Sequence, residues 1–551
     1  MKSGAEPPRS SAWRAVALAL AASLAGCEDT PLVYSGADDG WIGRAHMPEV
    51  AADPASPAAF DPHLDGFEAI ELRFALAHAS GARCTVELSR GGVALGVLPG
   101  TIDASACTAA WSGRDAGGAL VSPGIVDATA IVTRGADGAR ATMAVEVLRV
   151  GVAEVQLEGP GRAPLLYAAL DGLRYGYFEH AATDVPWRLG PDVVERGGVA
   201  LEHADGTPRA PPAPWDDTAS PPLDGESADG VEHDTFSLPT AWIAGSTLEA
   251  AVRFSTATAS GVGPALVELR VVAPDGLALL DPPALEDDAR LRFESTRSPV
   301  PAVGRYDVAY GWRFEARRGP SAPWTPIPGR FTTTHRLYGL VAAPTFGRPE
   351  VPHRAWVDVV DRVAGWVDGA SADADAVGAR IVEGIYYELG LSYDRQSGAS
   401  HYTNHPGGFE RATFELSRFR DLANGAVINC SDAASIVSTY ANMVGIDLRY
   451  HIIQHRTRTQ FELHYLAAIG FDFAASPFLS GRSAFRYHAI VGPPDTRVLD
   501  ATLALDGDTD PSRPPHEVLL VQGLAQADYL ARLTPEADQV RVWVDEKVTI
   551  R

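Results

Sequence analysis

Apolar residues recur along this chain with two different periods, and the switch between them divides it. From Phe67 the period is two. Ile70, Leu72, Phe74 and Leu76 alternate with polar Glu71 and Arg73, and Met143, Val145 and Val147 repeat the pattern, as half-buried strands do. Strand-like runs return at 248–254 and 266–272. The clearest carries Tyr306, Val308, Tyr310, Trp312 and Phe314 between Asp307, Ala309, Gly311 and Arg313. An aromatic face of this kind reads as core before it reads as a ligand surface. After Pro344 the period lengthens to that of a helix. Trp356, Val359, Val360, Val363 and Val367 line one face, and a second helix from Asp373 places Val377, Ile381, Ile385 and Leu389 on another before Gly390. A third helix begins at Cys430, with a stripe of Ala433, Ala434, Val437, Tyr440, Ala441 and Val444 that Gly445 closes. Strand-like runs follow at 448–453, 487–491 and 497–499, then a short helix near 525–533 and a strand at Val540, Val542 and Val544.

With 551 residues the chain exceeds what one ordinary core encloses, so about three domains are expected. Hydrophobic residues at 46% and charged residues at 21% give a globular balance, and 53 glycines with 41 prolines imply many turns. The net charge of −24 and the lack of any Lys/Arg cluster argue against a nucleic-acid partner. Lys2, Arg9 and Arg14 precede an apolar run, 15–24, that is too short to span a bilayer and ends in Leu24-Ala25-Gly26-Cys27. That ending resembles a bacterial lipoprotein lipobox. It implies a signal peptide over 1–26, lipidation of Cys27 and a tether over 27–46, hence an exported protein held on a membrane of the periplasm or cell surface through its acyl chains. Of the other cysteines, Cys84 and Cys107 share one β-rich segment and are expected to pair, which leaves Cys430 as an unpaired thiol.

Two stretches resemble known families. Trp111-Ser112-Gly113-Arg114-Asp115-Ala116-Gly117-Gly118, followed by Val121 and Gly124, resembles the W-x-G-x-D-x-x-G-x-x-V-x-x-G signature of Ig-like modules similar to those of flagellar hook-capping proteins. It covers roughly 47–150 and implies an Ig-like β-sandwich. The 151–344 stretch reads as a second β-rich domain, interrupted by an acidic, Pro-rich loop over 207–234.

The second resemblance spans roughly 373–510, within a domain over 345–551. A helix leading to Tyr393, the Cys430-Ser431-Asp432 start of the next helix, Gly445 to Arg449 and the closing Asp500-Ala501-Thr502 are similar to the transglutaminase-like superfamily of papain-like Cys-His-Asp enzymes. The resemblance implies an α+β fold with Cys430 as nucleophile, His488 as general base and then acid, and Asp500 as the carboxylate that orients the imidazole. Where that family often has Gly two residues before the cysteine, this chain has Ile428, and Ile490 stands where an aromatic is common. Asn429, Tyr402 and His401 are the side-chain candidates for an oxyanion pocket.

Other chemistries fit less well. Cell-wall peptidases with a D-C-S-G start need a second histidine, and the next one, His516, lies in a Pro-rich segment. His401/His405 and His451/His455 are four apart without the glutamate of a zinc-hydrolase motif, and 506–510 lacks the full spacing of a calcium loop. No metal or other cofactor is expected. The sequence thus implies a multidomain, lipid-anchored thiol enzyme that acts on amides of a protein or peptide substrate by acyl transfer or hydrolysis. The alternative is a non-catalytic envelope scaffold built on the same domain; a weaker third reading is an amidase or peptidase of peptidoglycan stem peptides.

Overall fold

Alternation becomes sheet wherever it was expected. In the computed structural model, Ile70–Ala77, Arg83–Arg90, Ala106–Trp111, Gly124–Arg134 and Asp137–Val147 join Glu49–Ala52, Ala59–Phe60 and Val93–Ile102 in one eight-stranded sheet. The structure describes residues 48–163 except 104, 165–170, 175–178, 187–188, 240–257, 266–345 except 287–288, 355–367, 369, 372–405, 412–420, 422–493, 497–508, 510, 513–515, 517–544 and 547–550. The expected leader over 1–26, the expected lipidation site Cys27, the expected tether over 27–46 and the 207–234 stretch lie outside them.

The sheet closes over its own core, where Phe74, Val86, Trp111, Val126 and Val145 are buried. The Trp111 indole donates to the Arg114 carbonyl at 2.9 Å and meets Phe60 edge-on at 5.0 Å. Gly113 turns there with φ of +75°, and an added Cβ would lie 2.6 Å from Pro62, so the motif needs its glycine for conformation and for space. Cys84 and Cys107 form a disulfide with a Cα–Cα separation of 6.2 Å.

The second β-rich region consists of two sheets. Arg149–Glu158, Glu249–Ala257, Arg290–Ser295 and Leu277–Leu279 belong to one; Thr240–Ile243, Phe331–Leu340, Gly304–Arg317 and Glu268–Val272 belong to the other. Phe254, Phe293, Trp312 and Phe314 meet between them in edge-to-face contacts of 5.1–6.3 Å. The aromatic strand is therefore core in its second half: Tyr310, Trp312 and Phe314 are buried, whereas Tyr306 and Val308 are half-exposed.

At the expected 150/151 boundary the strand Arg149–Glu158 runs from one module into the next. The joint is polar and buried. Asp61 accepts from the Val150 and His63 N–H groups at 2.8 and 2.9 Å and pairs with Arg149 at 3.5 Å. The boundary at 344/345 is likewise a packed joint: Val341 N–H donates to Val444 at 2.9 Å, and Thr345 N–H donates to Asn442 at 3.0 Å. Residues 48–551 accordingly form one compact unit.

Beyond that joint lie the helices Val357–Val367, Ala374–Glu388, Leu416–Arg420, Cys430–Met443 and Gln526–Leu533. Trp356, expected inside the first helix, instead ends the short strand Ala355–Trp356, whose Ala355 pairs with Leu165. Asp373 caps the second helix through the Asp375 N–H at 3.2 Å, and Gly390 leaves it with φ of +64°. An antiparallel sheet runs in the order Leu466–Ala468, Arg497–Asp506, His488–Gly492, Arg449–His455, Val540–Val544, and Val518–Ala525 pairs on the flank of Arg497–Asp506. The helix Cys430–Met443 packs on the two strands that carry His488 and Asp500, and Ala374–Glu388 lies beside it, packed on Arg497–Asp506 and Val518–Ala525. All fourteen of its residues are buried.

Replacing both Cys84 and Cys107 by Ala should destabilise the N-terminal module by about 3 kcal/mol, the loop-closure value for a bridge of this span. Denaturant unfolding of 48–148 within the whole protein, followed through Trp111 fluorescence, checks this.

Candidate functional site

The site is assembled around the start of the helix Cys430–Met443. Asn429 is its N-cap, with extended backbone (φ −118°, ψ −172°), and its Oδ1 accepts from the Asp432 N–H at 3.1 Å. Asp432 reciprocates by accepting from the Asn429 N–H at 3.2 Å, which completes a capping box. The same buried carboxylate accepts from the N–H groups of His401, Tyr402 and Thr403 at 2.8, 2.9 and 2.8 Å and from the Ser400 hydroxyl at 3.0 Å. Thus the 400–403 loop is tied to the first turn of the helix. Cys430 is the first helical residue, where backbone N–H groups have no intrahelical acceptor and the helix dipole favours negative charge. Its thiol is free and 4% exposed.

His488 opens its strand, paired opposite Ile453, and is fully buried. Its Nε2 donates to Asp500 Oδ2 at 2.9 Å. The same carboxylate oxygen accepts from the Tyr529 hydroxyl at 2.8 Å, and Oδ1 accepts from the Thr502 N–H at 2.7 Å. The Asp-Ala-Thr sequence thus makes a local turn that fixes the carboxylate. With Nε2 engaged, Nδ1 is the ring nitrogen left over; it is buried and makes no hydrogen bond among the described residues. Burial alone would lower the basicity of this ring. The charge and hydrogen bond of Asp500, helped by Cys430, outweigh it and push the imidazole up to about 9. Phe485 lies flat on the ring at 5.2 Å and 13°.

Cys430, His488 and Asp500 are therefore neighbours, in the order thiol, imidazole, carboxylate. The oxyanion candidates are not available in the same way. Asn429 spends Oδ1 on the cap, and its Nδ2 donates to the Gly398 carbonyl at 3.0 Å. Tyr402 donates its hydroxyl to the Gly425 carbonyl at 2.6 Å, and His401 reaches Asp394 at 3.2 Å. A short polar residue beside a helix start has a capping vacancy to fill, and here that demand takes Asn429. The groups that do surround the thiol are three tyrosines, Tyr393, Tyr450 and Tyr487. Each phenol is held above its ordinary range, first by burial and then by the charge of Cys430.

Tyr487 and Tyr450 could have been noticed in the sequence as aromatics within two residues of His488 and of the strand start. Tyr529 carried no signal, because its contact with Asp500 spans 29 residues. The paired histidines do not converge: His405 meets Ser431 at 3.3 Å, and His455 accepts from the Thr457 and Arg458 N–H groups. Among the described residues no group of three or more His, Cys, Asp or Glu side chains is placed to hold a metal ion, and no helix is long and apolar enough to cross a membrane.

No family model matches the chain, and no curated protein matches it. Two solved structures with which the chain aligns are distant likenesses. A chimeric titin Z1Z2-Z1Z2 tandem functionalised with a GRGDS peptide from fibronectin aligns at 9% identity and a TM-score of 0.12, covering 53% of this chain and 96% of its own. A Corynebacterium diphtheriae protein named for a proposed membrane anchor aligns at 9% identity and 0.14, covering 54% and 59%. At such scores neither bears on fold or chemistry.

Replacing Asp432 by Ala strands four backbone N–H groups and one hydroxyl. The expected loss is about 3–5 kcal/mol of stability, with Asn restoring part of it. Chemical denaturation of the two variants reads this directly.

Proposed function

We propose that the C-terminal region is a transglutaminase-like, papain-like thiol enzyme acting on amides of a protein or peptide, carried on a lipid-anchored, exported chain. The observation that supports it most is the buried His488–Asp500 pair at 2.9 Å, in a ring whose basicity Cys430, a free cysteine at a helix start, helps to raise. The Cys430 sulfur, as thiolate, attacks the carbonyl carbon of the amide. The Cys430 N–H, first of the helix, is placed to donate to the oxygen that becomes negative. The carbon–nitrogen bond breaks as the His488 imidazolium gives its proton to the leaving nitrogen, and a thioester remains on Cys430. Water or an amine then adds to that carbonyl and gives its proton to His488. The carbon–sulfur bond breaks, and thiolate and imidazolium are restored. Asp500 and Tyr529 keep the ring oriented throughout and support its charge.

Water as acceptor gives hydrolysis or deamidation, and an amine gives a new amide. Incubating the protein with a pool of glutamine- and lysine-containing peptides, then following ammonia release, cleavage and cross-linking by mass spectrometry, tests this. At least one product should form with the wild type and fall by about 10³-fold or more in Cys430→Ala, as expected for removal of a covalent nucleophile. Equal product from both proteins would contradict the proposal.

A further inference from the structure

The chemistry proposed for Cys430 needs an amide carbonyl at its sulfur, yet the site is closed. Cys430 is 4% exposed, Asp500 2% and His488 0%. The cover over the imidazole comes from one excursion of the chain, the stretch between the strands Arg449–His455 and His488–Gly492. Part of that excursion is built into the sheet. Leu466–Ala468 pairs with Arg497–Asp506; the Ile469 carbonyl accepts from the Tyr393 N–H at 3.0 Å, and its N–H donates to the Thr502 carbonyl at 2.8 Å. Gly470 then turns with φ of +79°, packed closely on Leu391 and Ser392.

The rest, 471–486, is held differently. Between Gly470 and Tyr487 only Phe478 and Phe485 are buried. Phe485 is the ring that lies flat on His488, and Phe478 meets Phe485 edge-on at 4.9 Å and Tyr393 at 5.1 Å. The backbone of this segment ties to 461–466, the base of the same excursion. Phe485 and Ala484 pair with Phe461 and Glu462, and Phe478 bridges to Leu466. Leu463 N–H donates to the Ser483 carbonyl at 2.9 Å, and Gly481 N–H donates to the Leu463 carbonyl at 3.1 Å. The next residue, Tyr487, rests on the cysteine helix, its hydroxyl 3.0 Å from Ser431 Oγ. A segment anchored by two buried side chains, with the rest of its surface towards water, opens at less cost than the sheet beneath it.

We propose that 471–486 is a lid, latched by Phe478 and Phe485, that lifts from His488 to let a peptide amide reach Cys430 and excludes water once it closes again. Its role as a substrate gate rests on the reading of Cys430 as a nucleophile. Gly470 and the exposed Arg486 are the ends between which it moves.

The test is alkylation of Cys430 in the whole protein by iodoacetamide and by a bulky maleimide, each rate divided by that of N-acetylcysteine and read by mass spectrometry on the Cys430 peptide. Phe478→Ala removes one latch. Glu462→Cys with Ala484→Cys, oxidised, closes a disulfide across an exposed cross-strand pair and pins the lid to its base with both phenylalanines in place. The latch variant should speed labelling by both reagents about tenfold or more, and the lock should slow it by as much. Amide exchange keeps lid opening apart from global unfolding: the Leu463 and Gly481 N–H groups should exchange faster than the amides of His488–Gly492. A locked protein that labels at the wild-type rate, or equal exchange of the two sets of amides, would overturn the lid. Labelling that responds to latch and lock but follows an ordinary thiol against pH would keep the lid and sink the reading of Cys430 as nucleophile. If Phe478→Ala fails to fold, the lock decides.

Discussion

The buried carboxylate of Asp432 is the constraint on which the C-terminal site depends. Five donors converge on it, and they come from two places in the chain: Asn429 at the helix start and Ser400 to Thr403 in the preceding loop. Without that carboxylate the four backbone N–H groups would be buried without partners, which costs far more than the bonds contribute when made. The box therefore fixes which residue begins the helix. Because it is Cys430 that begins it, the thiol stands at the positive end of a helix dipole rather than somewhere along its side.

The rest of the site follows from what packs against that helix. Its fourteen buried residues need cover on every side, and the sheet supplies one face while Ala374–Glu388 supplies another. The sheet strand that lies closest delivers His488, and the next one delivers Asp500. Each catalytic candidate is thus held by an element whose position is set by core packing rather than by a loop. Within the helix, Asn442 Nδ2 donates to the Ser438 and Leu448 carbonyls at 2.7 and 2.8 Å and so secures the turn into the strand carrying Tyr450.

Much of this was legible in the chain, for identifiable reasons. Period-two alternation in 70–76 and 143–147 and the apolar stripes at 377–385 and 433–444 are dictated by burial on one face, and those elements formed where expected. Arg497–Asp506 ran seven residues past its predicted end, because both of its faces are buried there, Leu503 and Leu505 on one and Thr502 and Ala504 on the other, which removes the alternation that marks a half-exposed strand. Cys430, His488 and Asp500 could be named from residue type and order. The donors around them could not. Whether Asn429 caps a helix or faces a substrate depends on which neighbours compete for its amide, and Tyr529 reaches Asp500 only through tertiary folding.

The central claim is that Cys430 and His488 act as a pair, and the most direct measurement is the rate of Cys430 alkylation against pH in wild type and His488→Ala. The imidazole, pushed up to about 9 by Asp500 against the effect of burial, is the group on which such a pairing would depend. The account predicts a wild-type rate that remains high well below about 8.5, the ordinary thiol value, and that collapses onto ordinary thiol behaviour in the variant. A wild-type rate that follows an ordinary thiol, and is unchanged by the substitution, would contradict it.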